Sequence, residues 1–242
     1  MLRKLLRLAW GAYCHLLFAL LLALAFLLAT LLPSVRLRRD GSRALARLFF
    51  RFAGLPFRVT GSERLPGAPS VVVANHSSYV DGPLLYAALP SRYGFVIKKE
   101  ASRVPLGGWL LKRLGHEFVD RHDRTQSARD ARRILRAAVG GGSVVFFPEG
   151  TFTEQPGLAR FRSGAFVTAA RAAMPVVPVV IHGARAVLPA ETWLPRRGPL
   201  EVEILEPLAP PGPGERDAVA RMRDEARQRI LERLGEPDLE ER

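Results

Sequence analysis

Between Leu8 and Leu32 the chain carries no Asp, Glu, Lys or Arg, reading LAWGAYCHLLFALLLALAFLLATLL. As a helix this run is roughly 37 Å long, enough to cross a hydrocarbon core of about 30 Å. Arg3, Lys4 and Arg7 stand before it, and Arg36, Arg38, Arg39 and Arg43 follow. The run is too long for a secretory leader and no small-residue cleavage pattern follows it, so a retained membrane segment is expected. The heavier basic cluster on its C-terminal side puts the remaining domain on the cytoplasmic face. A helix dipping into one leaflet, with both flanks cytoplasmic, satisfies the same charges. The next stretch, Arg43 to Phe57, spaces Arg43, Arg47 and Arg51 four apart among Leu45, Leu48, Phe49, Phe50 and Phe52. Basic plus aromatic on one helix suits a lipid surface, although a helix covering a domain core has the same pattern.

The rest of the chain is not a membrane bundle. Of the 242 residues, 48% are hydrophobic and 24% charged, the balance of a globular domain with an appendage. A single cysteine, Cys14, excludes a disulfide framework or a Cys-rich zinc site and fits a reducing compartment. GHEFVDRH lacks the spacing of a helical zinc-binding H-E-x-x-H, so no metal site is expected. The net charge of +13 suits an anionic partner. Nucleic acid is the poorest choice, because the arginines are scattered and a membrane segment is an unsuitable companion.

After Gly61 short apolar runs alternate with amphipathic stretches. The expected strands are 70–75, 93–98, 116–120, 143–149, 175–182 and 200–206, several apolar throughout as in strands covered on both faces. PLGGWLLKRLG, TQSARDARRILRAAVGGG and RSGAFVTAARAAM read as helices between them. The alternation predicts an α/β fold with a central, mainly parallel mixed sheet flanked by helices, preceded by an N-terminal membrane-associated helical segment. Three units are expected: 1–57 as membrane helix plus basic interfacial segment, 58–210 as the α/β domain, and 211–242 as a C-terminal helix with a frayed tail.

Four short motifs carry chemistry. In VVVANHSSYVDG a buried strand breaks at Asn75, and Asp81 follows His76 by five positions. On a continuous helix these two would diverge by roughly 140°, and on one strand they would face opposite sides. They meet only if the chain turns between them, with His76 at the strand's end and Asp81 near the start of a helix around Ser78. The mouth of a strand is where α/β sheets place their sites. There Asp81 can fix the imidazole tautomer and leave the other nitrogen to take a proton. No nucleophile accompanies the pair, which suits a base acting on a substrate hydroxyl; a strand-end histidine bonded to a capping aspartate would look the same. In FFPEGTF (146–152), Pro148 ends a strand, Glu149 is expected exposed at the mouth, and Gly150 permits a tight bend. Amides after Gly150 and the Thr151 hydroxyl can hold an anion, though a plain turn has the same residues. GHEFVDR ends in Arg121, suited to a phosphate or to an ion pair with Asp120 or Asp123. In MPVVPVVIHG, Pro175 and Pro178 predict a strand that bends or lies near an edge, and His182 is open to a structural or a catalytic part.

In this order the four motifs resemble those of the glycerolipid acyltransferase family, best known from 1-acylglycerol-3-phosphate acyltransferases. The H-x4-D block matches His76 and Asp81; G-x-x-F-x-x-R matches Gly115, Phe118 and Arg121. F-P-E-G-T matches Phe147 to Thr151, the proline-bearing strand matches Pro175 to Pro178, and FRSGAF (161–166) resembles the family's F-K-x-G-A stretch. The resemblance covers about residues 60 to 210. It implies that His76 deprotonates the acceptor's hydroxyl, Asp81 orients it, and the oxygen attacks an acyl thioester directly. Arg121, Glu149, Gly150 and Thr151 would bind a glycerophosphate acceptor. No bound cofactor or metal is implied; the acyl donor, acyl-ACP or acyl-CoA, is a substrate, and lysolipid and membrane are the other partners.

One departure stands out. The family commonly follows F-P-E-G-T with arginine, often then serine, whereas Phe152 and Thr153 follow here. Arg160 or Arg162 is placed to supply the missing charge. The resemblance therefore implies phosphatidic acid synthesis from 1-acyl-sn-glycerol-3-phosphate, with lyso-ornithine lipid or another lysolipid as the rival acceptor. A catalytically silent membrane scaffold is the alternative of another class, against which the intact His76, Asp81 and Glu149 argue.

Overall fold

The computed structural model describes residues 1–120, 124–212, 215 and 217–240. Helix α1 (Leu2–Leu31) turns back at Pro33 into α2 (Val35–Phe52), so the first two helices form a hairpin. Then come β1 (Phe57–Thr60), β2 (Val71–Ala74), α3 (Asp81–Ala88), β3 (Tyr93–Lys98), α4 (Gly107–Arg113), β4 (Glu117–Val119), α5 (Arg124–Val139) and β5 (Ser143–Phe146). The chain closes with α6 (Gly164–Arg171), β6 (Val176–His182), α7 (Ala184–Val187), β7 (Leu200–Ile204) and α8 (Ala218–Leu234).

Among the described residues, seven strands make one sheet in the order β1-β7-β6-β2-β5-β3-β4. From β6 to β4 all neighbours are parallel; β7 is antiparallel to β6, and β1 runs parallel to β7. This is the mixed, mainly parallel α/β sheet that the alternating pattern predicts. Its central strands are apolar on both faces because both are covered. Val72 and Ala74 of β2 face a core built with α1, α2 and α3, while Val71 and Val73 face one built with α5, α6 and α8.

Pro178 does not push β6 to an edge: the strand lies inside the sheet, between β2 and β7. The register puts Pro178 opposite Val73, and its carbonyl accepts from Leu205 N at 2.9 Å, just past the end of β7. A residue's N–H and C=O point to the same side of a strand. The missing N–H thus faces Leu205 at the last position of the β6–β7 pairing, and the parallel ladder to β2 does not need it.

The basic helix begins earlier than its arginine spacing suggests. Ser34 caps α2 by accepting from Leu37 N, and the helix closes at Gly54 in the left-handed conformation (φ +67°). Several of its arginines bind carbonyls of the domain, not an outer surface. Arg47 Nε donates to Ala87 O (2.9 Å) and Arg43 Nη2 to Ala88 O (3.3 Å), in the last turn of α3. Arg39 donates to Leu114 O and Gly115 O, both at 2.6 Å, at the end of α4. Cations on free helix-end carbonyls are favourable both as hydrogen bonds and against the helix dipole.

The buried residues of α1 are small: Gly11, Cys14, Ala25 and Ala29. At 100° per residue they fall within an arc of roughly 60°, so one thin stripe meets the domain. Outside it Leu16, Leu20, Leu27 and Leu31 are exposed. Trp10 Nε1 and Tyr13 OH each donate to the end of α2, at Ala53 O and Phe52 O, both at 3.1 Å. The helix is long and apolar enough to cross a membrane, yet it lies packed along α2 and α4.

Candidate active site

Because β6, β2, β5 and β3 are parallel neighbours, the segments that follow them emerge at one edge of the sheet. At the end of β2, Asn75 donates from Nδ2 to Ile181 O (3.1 Å) and accepts from Ile181 N at Oδ1 (2.7 Å), pinning the turn to β6. The chain then reverses into α3, whose first residue is Asp81. Fully buried, Asp81 gathers three donors on Oδ2: Ser77 N (2.6 Å), Ser78 N (2.8 Å) and His76 Nδ1 (2.8 Å). A carboxylate only accepts, so the ring proton sits on Nδ1 and Nε2 keeps its lone pair. The His76 ring stacks on Phe147 (centroids 4.2 Å apart) and meets the edge of Phe152 (4.6 Å). Its side chain is 19% exposed, so the ring is packed but not sealed from solvent.

At the end of β5, Gly150 N donates to Phe147 O (3.0 Å) and closes a turn with Pro148 in its second position; Gly150 has φ +86°. Glu149 is not exposed at the mouth, as its turn position suggests. It is buried, accepting from His76 N at Oε1 (2.6 Å) and from Ala159 N at Oε2 (2.9 Å). Burial pushes its carboxyl up to about 7, against those two N–H donors; Asp81 nearby adds to the rise and Arg185 opposes it. Glu149 therefore joins two loops rather than presenting a carboxylate to the cleft.

The other sequence candidates lie around this centre. Thr151 is exposed and, with Tyr79, Lys98, Phe152 and Gln155, lines a cleft of about 510 Å³. Arg162 N donates to Pro148 O (2.9 Å), which sets its exposed side chain beside Gly150 at a hollow of about 310 Å³. Arg160 points to Glu240 (3.5 Å) instead. Arg121 lies outside the described residues; of its two suggested partners, Asp120 accepts from Lys99 (3.1 Å). His182 Nε2 is 3.5 Å from Glu203 Oε2 on the neighbouring strand, apart from the His76–Asp81 pair. Sequence reasoning passed over Lys98, whose place at the end of a parallel strand is a usable signal. It also missed the row His76, Phe152, Tyr79 and Trp193, with Tyr79 4.7 Å from Phe152 and 4.9 Å from Trp193, because loop aromatics carry no periodicity.

A family model described as Acyltransferase matches residues 56–182, which run from β1 to the end of β6 and include both His76 and Asp81. The chain belongs to the acyltransferase family. This acyltransferase is 31% identical over 206 residues to the chloroplastic 1-acyl-sn-glycerol-3-phosphate acyltransferase BAT2 of Brassica napus, covering 83% of this chain and 58% of that protein. It is 32% identical over 185 residues to the lyso-ornithine lipid O-acyltransferase of Pseudomonas aeruginosa, covering 69% of each. It spans about half the length of the plant and algal relatives it matches. Among solved structures, PlsC of Thermotoga maritima, a 1-acyl-sn-glycerophosphate acyltransferase, superposes with a TM-score of 0.77 over 96% of this chain and 97% of that one. At 23% identity that likeness speaks to the fold.

Proposed function

We propose that this acyltransferase moves a fatty acyl group from a thioester to the free hydroxyl of a lysolipid, with 1-acyl-sn-glycerol-3-phosphate as acceptor and phosphatidic acid as product. The observation that carries the reading is the His76–Asp81 pair, with Nδ1 tied to a buried carboxylate and the ring reachable at the sheet's mouth. Nε2 takes the proton as the acceptor oxygen attacks the thioester carbonyl, and Asp81 stabilises the imidazolium. Collapse of the tetrahedral species expels the thiolate, which takes the same proton back from Nε2. Ester and thiol are formed, and the base is restored.

Lys98 and Arg162, whose side chains make no hydrogen bond or ion pair among the described residues, are the cations we assign to the acceptor's phosphate, with Thr151 beside them and Arg121 added by family resemblance. An apolar pocket of about 210 Å³ lies between the helical hairpin and the Tyr79–Trp193 pair, lined by Cys14, Phe18, Phe49 and Leu55. It suits an acyl chain. The exposed leucines of α1 suit a bilayer, and because the helix is packed lengthwise on the domain, we place the hairpin in one leaflet of the cytoplasmic face. The charge of +13 favours acyl-ACP or acyl-CoA as donor.

Phe152 favours a second reading. Its ring packs against His76 where the family commonly has arginine, leaving that position without charge, so lyso-ornithine lipid is the rival acceptor. The deciding experiment uses detergent-purified enzyme and its His76→Ala variant with acyl-ACP and acyl-CoA donors and either acceptor. Conversion of lysophosphatidic acid should fall by about 10⁴-fold in the variant. Conversion of lyso-ornithine lipid alone would replace the acceptor and keep the base. Full activity in the variant would remove the mechanism.

A further inference from the structure

After α8, residues 236–240 are held against the domain rather than frayed. Leu158 N donates to Pro237 O (2.9 Å) and Leu239 N to Leu158 O (3.1 Å), a parallel bridge that lays 237–239 alongside the loop after the F-P-E-G-T turn. Gly157 N donates to Glu236 Oε2 (2.7 Å). The approach is close enough to need glycine: Gly157 has φ +139°, and a Cβ there would lie 2.5 Å from Leu239 Cγ and 2.7 Å from Pro237 O. Asp238 also accepts from Glu240 N at Oδ1 (2.8 Å), so the chain turns just past the bridge.

Two arginines fasten it. Arg227 of α8, nearly buried, donates from Nη2 to Leu158 O (2.9 Å), from Nε to Ala159 O (3.2 Å) and from Nη1 to Asp238 Oδ2 (3.0 Å). Arg185 of α7 donates to Glu236 Oε2 (3.0 Å) and to Thr153 O (2.9 Å), holding the other end of the loop. Ala159, fixed by Arg227, gives its N–H to Glu149, and Glu149 accepts the N–H of His76.

We propose that residues 236–240, with Arg185 and Arg227, are a strap that positions the 151–160 loop and, through Ala159 and Glu149, the backbone of His76. Phe152 and Thr151 stand on that loop, so the strap sets one wall of the acceptor cleft as well as the seat of the base. These are positioning residues: none reaches the imidazole, and each acts through the loop. Four charged or titratable groups surround Glu149: Asp81 from α3, Arg185 from α7, Arg227 from α8 and His76 itself. Of these groups, only Arg185 and Arg227 are anchored by the strap.

The kinetic part of the test rests on the acyl-transfer reading, and the exchange part does not. The chain ended after Gly235 is compared with the full chain by amide hydrogen exchange without substrate, then by steady-state kinetics. Exchange at Ala159 and His76 should quicken by about tenfold or more. The acceptor's KM should rise about tenfold while the donor's stays within about twofold. The acid limb of kcat/KM should move to higher pH, because Glu149 loses an N–H that favours its ionised form. If the shortened chain does not fold, Asp238→Asn carries the test, with the same directions and smaller size. Unchanged exchange at Ala159 and His76 in a folded variant would overturn the strap. So would equal rises in both KM values with an unmoved acid limb. A full-length enzyme that converts neither acceptor while its exchange responds would sink the lysolipid reading and leave the strap standing.

Discussion

The two edges of the sheet bury polar groups in opposite ways. At the edge where β2, β3 and β5 begin, Ser70 Oγ pairs with Tyr93 OH (2.8 Å) and Ser143 Oγ accepts from Ser70 N (3.3 Å). His116, just before β4, accepts from Phe95 N at Nδ1 (3.2 Å) beneath Tyr86 and Phe95. Desolvation pushes its imidazole down to about 3, with Arg39 adding to the fall, so it is neutral at any working pH. Among the described residues, no carboxylate hydrogen-bonds to it. At the opposite edge His76 has Asp81 on one nitrogen and a side chain that is 19% exposed, and among the described residues the side chains of Lys98 and Arg162 make no hydrogen bond or ion pair. A histidine becomes a base where a fixed acceptor and access to substrate coincide; where the ring is sealed, the same residue is packing.

The contrast can be broken in three places. The largest effect is expected at Asp81→Asn, which keeps the volume but offers an N–H where three donors converge. Turnover should drop by about 10⁴-fold with the circular dichroism spectrum intact. A drop of only a few-fold would make Asp81 a cap rather than the partner of the base. The second test concerns Glu149, whose folded carboxyl titrates at about 7 against 4.5 for the free group. Between those values the folded chain holds a proton that the unfolded chain has released, so stability is fully present below about 4.5 and is lost as pH rises through about 7. Denaturant unfolding of the wild type relative to Glu149→Gln should therefore lose on the order of 2 kcal/mol between pH 5 and pH 8. Parallel pH profiles for the two proteins would show that the carboxyl is unperturbed. Activity should climb across the same window, since only the ionised group accepts at both oxygens. The smallest effect is expected at His116→Gln, which retains an acceptor for Phe95 N: activity within about twofold and a melting point lowered by a few degrees. A loss approaching that of His76→Ala would erase the distinction between the edges.

What was legible beforehand follows the same division. The strands β2, β3, β5 and β6 announce themselves as runs of Val, Ile and Phe because both faces are covered. The meeting of His76 with Asp81 follows from a turn that their spacing requires. Strand β1, FRVT, is short and half polar, so it carries no clear apolar run even though Gly54 and Pro56 part it from α2. The place of Glu149 was hidden because its partners are backbone N–H groups, which every residue but proline carries. The arginines of α2 read as a lipid-facing stripe because their acceptors, carbonyls at the ends of α3 and α4, lie some forty and seventy-five residues away. EPDLEER reads as a solvated tail until Arg185 is seen on Glu236 and Arg227 on Asp238.

The small-residue stripe of α1 bears on how such a chain can be handled. Trp10, Cys14 and Leu17 pack into the cluster that holds Phe50, Leu55 and Leu200, while Ala25 and Ala29 close over Leu110 and Leu114. Cutting the chain ahead of α2 would strip a wall from two cores at once and leave those side chains facing water, the starting point of an aggregate. Trimming ahead of α2 should therefore give an insoluble fragment, not a smaller catalytic domain.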